Sequence, residues 1–248
     1  MEELEQSLFL VDLFNKIFGK PLAALFGSVG IEVKNPEHFV PDYIVMSLIV
    51  AVFLILFFGL ASRKLTLIPS KRQSILELII QTFESLIVDT IGEQGKKYLP
   101  LVATVGLFIF CCNILGLVPG FMSPTSKLNV TVGCALAVFV YYHWQGIRSQ
   151  GFLKYLKHFT GPSPLLAPFL LPIEIISHFS RPVSLSVRLF GNIFAEELLI
   201  VVIASIFPFI LPLPFMAVAI FTAIVQAFVF VLLSCIYLAG AVTHEEEH

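Results

Sequence analysis

Residues 173–207 read IEIISHFSRPVSLSVRLFGNIFAEELLIVVIASIF. The run is apolar enough and long enough to cross a bilayer, which takes about 20 predominantly apolar residues. Yet it carries Arg188 in its middle. A guanidinium at the bilayer centre costs from about 2.5 kcal/mol on insertion scales to more than about 10 kcal/mol in simulations of an isolated helix. Arginine cannot relieve that cost by losing its proton. An intramembrane arginine therefore marks a functional site by default.

The other polar residues of the run are ordered around it. Glu174, Ser177, Arg181, Ser184, Arg188 and Asn192 recur every three or four positions, which predicts one face of a helix. At 1.5 Å per residue that stripe is about 27 Å long, close to the thickness of the hydrocarbon core. Glu196 continues the direction loosely, and Glu197 points to the far side. A helix so marked is expected to face a protein groove or water. Pro182 frees a backbone carbonyl inside the stripe, and Gly191, about one turn past Arg188, permits close approach by a partner helix.

The composition agrees with a lipid setting: 57% of residues are hydrophobic and 13% charged, with a mean hydropathy of +0.93, against about a quarter charged in soluble domains. Four further apolar runs fit spans, at about Tyr43–Ala61, Leu99–Val118, Val130–Trp144 and Phe215–Ala241, and Pro208, Pro212 and Pro214 mark a turn before the last. Basic residues set the orientation. Arg63, Lys64, Lys71, Arg72, Lys96 and Lys97 lie between the first two spans, and Arg148, Lys154 and Lys157 between the third and fourth, whereas the opposite connections hold only Lys127. The N-terminus is expected outside and the C-terminus, ending His244 to His248, in the cytoplasm.

Ser74–Ile91 is too polar to span. Ile75, Leu78, Ile79, Phe83, Leu86, Ile87 and Thr90 nevertheless recur at helical spacing opposite Glu77, Gln81, Glu84 and Asp89. This predicts an amphipathic helix along the interface or beside the bundle; Leu8–Phe26 is a second candidate. The fold class is an all-α membrane protein with about five transmembrane helices plus an interfacial helix. Residues 1–40 form an N-terminal extramembrane or interfacial segment and 41–248 a single helical membrane domain. A net charge of -2 with scattered basic residues indicates no nucleic-acid role. Cys111, Cys112, Cys134 and Cys235 lie in apolar runs without metal-ligand spacing, so no metal or cofactor is indicated. The acidic start, Met1 to Gln6, has no basic signal-peptide region.

Individual polar residues have plain readings as well. Gln226, one turn past Thr222 in the last span, bridges helices or neighbours Arg188; Asn113 caps or bridges. Tyr141, Tyr142, His143 and Trp144 read as an interfacial belt. His178 is either a proton carrier by its intrinsic pKa or an interface residue. Glu174 or Glu196 could also neutralise an arginine as structural glue.

Taken together, Ser184-Leu-Ser-Val-Arg188-Leu-Phe-Gly-Asn192, then Glu197, with Val225-Gln226-Ala-Phe in the last span, resemble subunit a of the rotary, F-type ATP synthase. Asn113 with Gly116-Leu-Val-Pro119, and Leu128-Asn129-Val-Thr131, extend the resemblance over nearly the whole chain. It implies a stator of the proton channel, offering two half-channels to a rotating ring of c subunits and coupling ion flow to ATP synthesis. It also implies contact with b subunits of the peripheral stalk, and a last pair of helices forming a long tilted hairpin. Arg188 would separate the half-channels. Glu197 and Glu196 would line the outer one, and Glu174, Ser177 and Ser180 the inner one. Asn192 and Gln226 would position Arg188, with Ser184 and Asn113 also on the proton pathway.

Three positions depart from the family pattern. Glu196 stands beside Glu197 where relatives often have a small residue, so the two acids would titrate as a coupled pair. Ala219 replaces an ionisable histidine of some relatives. Lys127 replaces a common Asp and reads as a solvated loop residue without function. No nucleotide-binding loop and no nucleophile–base constellation is present, so the chain is not an enzyme alone. A bacterial inner membrane is expected, since no transit segment precedes the spans. The alternatives are a secondary transporter, which would show paired repeats absent here, and a scaffold subunit.

Overall fold

The structure is a computed structural model that describes residues 9–19, 40–64, 66, 70–118, 121–152, 155, 167–207 and 210–242. Seven α-helices follow in chain order: α1 (Phe9–Phe14), α2 (Asp42–Ala61), α3 (Lys71–Ile91), α4 (Leu99–Leu115), α5 (Leu128–Gln150), α6 (Ala167–Ile206) and α7 (Pro212–Val242). Five of them, α2 and α4 to α7, are long and apolar enough to cross a membrane. The expected spans are all present, with four corrected boundaries, the fourth span beginning at Ala167 rather than Ile173. The second stops at Leu115 rather than Val118, because the chain turns at Gly116. The third continues past Trp144 to Gln150, ending where Gly151 adopts φ +83°. Helix α7 begins at Pro212, so Pro212 and Pro214 lie in its first turn; a proline there costs nothing, since the first N–H groups of a helix lack intrahelical partners anyway. Pro208 lies outside the described residues.

The core lies among α4, α5, α6 and α7. Ile109, Val138, Tyr142, Leu185, Leu189 and Phe230 meet there, each almost fully buried. Gly106 lets α4 approach its neighbours closely: a β-carbon there would lie 2.5 Å from Val231 Cγ2 and 2.9 Å from Phe83 Cε1. Helix α3 has two halves. Ser70 caps it by accepting from Gln73 N–H at 3.4 Å, and Ile87 packs with Val102, Val231 and Cys235. Ile75 and Leu78, in its first half, remain 61% and 64% exposed. The amphipathic segment therefore packs beside the bundle at one end and offers an apolar face at the other, as expected for an interfacial helix.

Of the N-terminal candidate Leu8–Phe26, the described part is shorter than expected: α1 passes into a π-helical turn at Asn15–Gly19. Leu8 and residues 20–26 lie outside the described residues. Asn15, buried, holds this segment to the start of α2. Its Nδ2 donates to Val40 O and its Oδ1 accepts from Val40 N, both at 3.1 Å.

Helix α6 is the outlier. Its 40 residues make it about 60 Å long, twice the hydrocarbon thickness of about 30 Å. Exposed apolar side chains continue from Ile173 to Ile206, so lipid rather than water suits both ends. A helix so much longer than the hydrocarbon core is accommodated by tilting, kinking or locally thickening the bilayer. Only 11% of its most apolar window is buried, against 33% in α7. Most of α6 thus presents an open face, with α7 packed along its other side.

Candidate functional site

The stripe divides along its length. Ser177, Ser180, Ser184, Arg188 and Asn192 are exposed on the open face of α6, whereas Glu174 and Arg181 are half-buried and turn toward the bundle. At 100° per residue all seven lie within about 120° of one another, and Glu174 and Asn192, 18 residues apart, share one direction. One face therefore carries them all, and what it meets changes along the length of α6.

Arg188 lies on the open face, and among the described residues no carboxylate forms an ion pair with it. One turn on, Asn192 Nδ2 donates to Gln226 Oε1 at 2.8 Å, joining α6 to α7. Gln226 is 5% exposed. The bridging reading of Gln226 matches this contact, with Asn192, one turn from Arg188, as its partner. Gly191 has nothing within 4 Å of where a β-carbon would stand, so the space beside Arg188 is open.

Toward the α6–α7 turn, the two adjacent acids diverge. Glu196 reaches Thr222 of α7. Glu197 points the other way, accepting from Ser123 N–H at 2.9 Å and meeting Ser126. Behind Glu197 is a buried polar network that sequence reasoning missed. Ser123 Oγ donates to Cys112 O at 3.0 Å and lies 2.7 Å from Thr125 Oγ1. Thr125 Oγ1 donates to Asn113 Oδ1 at 2.6 Å, and Asn113 Nδ2 approaches Ala223 O at 3.5 Å. Ser123, Thr125 and Ser126 are each at most 3% exposed. The local signal was the Ser-Pro-Thr-Ser turn at 123–126, whose small hydroxyl residues suit a buried turn as well as a solvated one. Gly116 closes the cradle: a β-carbon there would lie 2.5 Å from Ser123 Cβ and 2.9 Å from Glu197 Oε1. Lys127, expected in a solvated loop, is half-buried and its charge acts on Glu197.

At the opposite end of α6, His178 is only 7% exposed, which corrects its reading as an interface residue. Its Nε2 lies 3.2 Å from Glu174 Oε1 and its Nδ1 3.4 Å from Tyr142 Oη. Arg181 stacks over the Tyr237 ring at 5.3 Å. The belt reading survives for Trp144, 64% exposed, and fails for Tyr142, 1% exposed. Among the described residues, no group of three or more His, Cys, Asp or Glu is placed to hold a metal ion.

These features define an integral, multi-pass membrane protein whose longest helix carries on an open face a cation without an ion pair among the described residues, with a polar cluster near each end. The ATP synthase A chain family matches residues 44–239. The chain is 46% identical over 209 residues to the ATP synthase subunit a of Campylobacter fetus subsp. fetus (strain 82-40), covering 84% of this chain and 92% of that protein. It is 48% identical over 202 residues to the subunit of that name from Campylobacter jejuni subsp. jejuni serotype O:23/36 (strain 81-176), covering 81% and 89%. With the Helicobacter hepaticus (strain ATCC 51449 / 3B1) subunit it shares 46% over 217 residues, covering 86% and 95%. The chain belongs to the ATP synthase A chain family.

Proposed function

We propose that this chain is the stator of the ATP synthase proton channel, giving a rotating c-ring two half-channels and coupling ion translocation to ATP synthesis. It performs no bond chemistry alone; the separate catalytic head of the complex does that. The observation that carries the reading is Arg188, a permanent charge on an open face of a membrane helix, with no carboxylate paired to it among the described residues. Such a charge is tolerable only where a partner or water compensates it. A ring carboxylate arriving at that face supplies the compensation.

The physics then gives Arg188 two tasks. It favours the ionised form of the passing carboxylate, and it blocks ion leakage along the groove between the half-channels. Glu197 and Glu196, with Asn113 and the Ser123–Ser126 turn behind them, form the outer half-channel. Glu174, Ser177, Ser180 and Ser184 mark the inner one, and the Asn192–Gln226 pair holds the hairpin together one turn from Arg188. The N-terminus lies outside and the C-terminus in the cytoplasm of a bacterial inner membrane, by the distribution of basic residues and the bacterial relatives. Residues 1–40 form the N-terminal segment, whose described part packs on the start of α2, residues 41–248 form the membrane domain, and b subunits of the peripheral stalk complete the stator.

Thiol accessibility tests the two openings. In a complex lacking Cys111, Cys112, Cys134 and Cys235, Ser180→Cys is expected to react with a membrane-impermeant reagent from the cytoplasmic side. Glu196→Cys is expected to react from the outer side. Reaction of both positions from one face contradicts two separate half-channels.

A further inference from the structure

Among the ionisable side chains that the proposed pathway does not use, His178 has the most complete setting. It is buried between α5 and α6 with both ring nitrogens engaged, Nε2 by Glu174 at 3.2 Å and Nδ1 by Tyr142 at 3.4 Å. Charged and titratable neighbours come from each element packed there. Helix α6 itself gives Glu174 and Arg181; α5 gives Tyr142 and His143, the latter with its ring 5.3 Å away. Tyr155, past the end of α5, lies 6.0 Å from the His143 ring, and α7 gives Tyr237 beneath Arg181.

The hydrogen-bond directions follow from the donors available. A carboxylate only accepts, so with Glu174 at Nε2 the neutral ring carries its proton there and donates it to Glu174. Nδ1 then accepts from the Tyr142 phenol. A partner on one ring nitrogen sets what the other can do. Glu174 is the more accessible of the two, its side chain 36% exposed against 9% for His178.

We infer that His178 is a positioning residue for proton exchange at Glu174: its Nε2–H holds the carboxylate at the cytoplasmic mouth, with the Tyr142 phenol at Nδ1 fixing the tautomer. This rests on the two-half-channel reading. A ring serving only to tie α5 to α6 would stabilise the bundle but leave the response to cytoplasmic pH unchanged. A donor to the carboxylate changes that response, because hydrogen bonding to an ionised form favours it.

ATP-driven proton pumping by the whole complex in inverted vesicles, followed against external pH, separates the two. His178→Phe, which fills the space without a donor, is expected to slow pumping several-fold. It should also move the pH profile toward alkaline by about one unit, a tenfold change of the kind one charge-assisted hydrogen bond produces. His178→Gln, which keeps an N–H, should restore most of the profile, and Tyr142→Phe should shift it less than His178→Phe. In a Glu174→Gln background, His178→Phe should no longer move it. An unmoved profile in His178→Phe overturns the inference; if that variant fails to assemble, an unmoved profile in Tyr142→Phe does so. Arg188→Ala in the same vesicles keeps the outcomes distinct. Normal pumping there removes the half-channel reading itself, whereas a dead Arg188→Ala beside an unmoved His178→Phe profile removes only the role of His178.

Discussion

Arg188→Ala is expected to abolish coupled ion transport in a complex that still assembles, lowering ATP-driven pumping about 100-fold or more. The magnitude follows from the ion pair the site completes: removing one partner of a desolvated pair costs about 3–5 kcal/mol, and each 1.4 kcal/mol is tenfold. Assembly is expected to survive, because Arg188 lies on the open face of α6 and pairs with no carboxylate among the described residues. Its loss leaves nothing in the chain uncompensated. Lysine should be a poor substitute, since a desolvated ammonium can lose its proton where guanidinium does not. Arg63→Ala is the control: Arg63 is exposed just past the end of α2, and its loss should leave pumping intact. Normal pumping by Arg188→Ala, read as acidification of inverted vesicles, would sink the mechanism.

Glu197→Gln should slow transport by about 100-fold, the low end of what a positioned proton-transfer group contributes, and far more than Glu174→Gln. The substitution is a clean probe. An amide oxygen can still accept from Ser123 N–H, now 2.9 Å from Glu197 Oε1, so the cradle persists while the exchangeable proton is lost. Glu174 lies at a wetter position, with 36% of its side chain exposed, where water can carry protons in its place. Glu174→Gln should therefore cost only a few-fold. Equal rates in the two variants remove the relay assignment. Glu196, turned toward Thr222, offers a parallel carboxyl, so the double Glu196→Gln, Glu197→Gln variant should be slower than either single change.

What the sequence made legible is what hydrophobicity and spacing encode. The five spans are runs of apolar residues, and their centres match the helices because backbone groups inside lipid must pair within their own segment. Arg188, Asn192, Gln226, Glu197 and Asn113 were legible because polarity in an apolar run is costly and so conspicuous. The partners of those residues were not legible. Nothing in the spacing of Glu196 and Glu197 said that one meets Thr222 and the other a turn 74 residues earlier in the chain. Ser123, Thr125 and Ser126 sit between two spans, where hydroxyl residues usually signal a solvated loop. The burial of His178 depended on which side of α6 faced α5, a question settled by packing rather than by periodicity. Helix α5 outran its apolar stretch because a helix ends where its backbone is capped, at Gly151, and not where it leaves lipid.

The central claim is that the open face of α6 meets a rotating ring of small subunits. In membranes carrying the complex without its four native cysteines, single cysteines at Ser184 and Asn192 on that face, and at Leu189 and Ile193 on the buried one, would be tested for disulfides to the c subunit. Leu189 and Ile193 are 0% and 4% exposed, whereas Ser184 and Asn192 are exposed. The expected result is crosslinks to the c subunit from Ser184 and Asn192 and none from Leu189 or Ile193. Equal crosslinking from both faces, or none to any ring-forming subunit, contradicts the account.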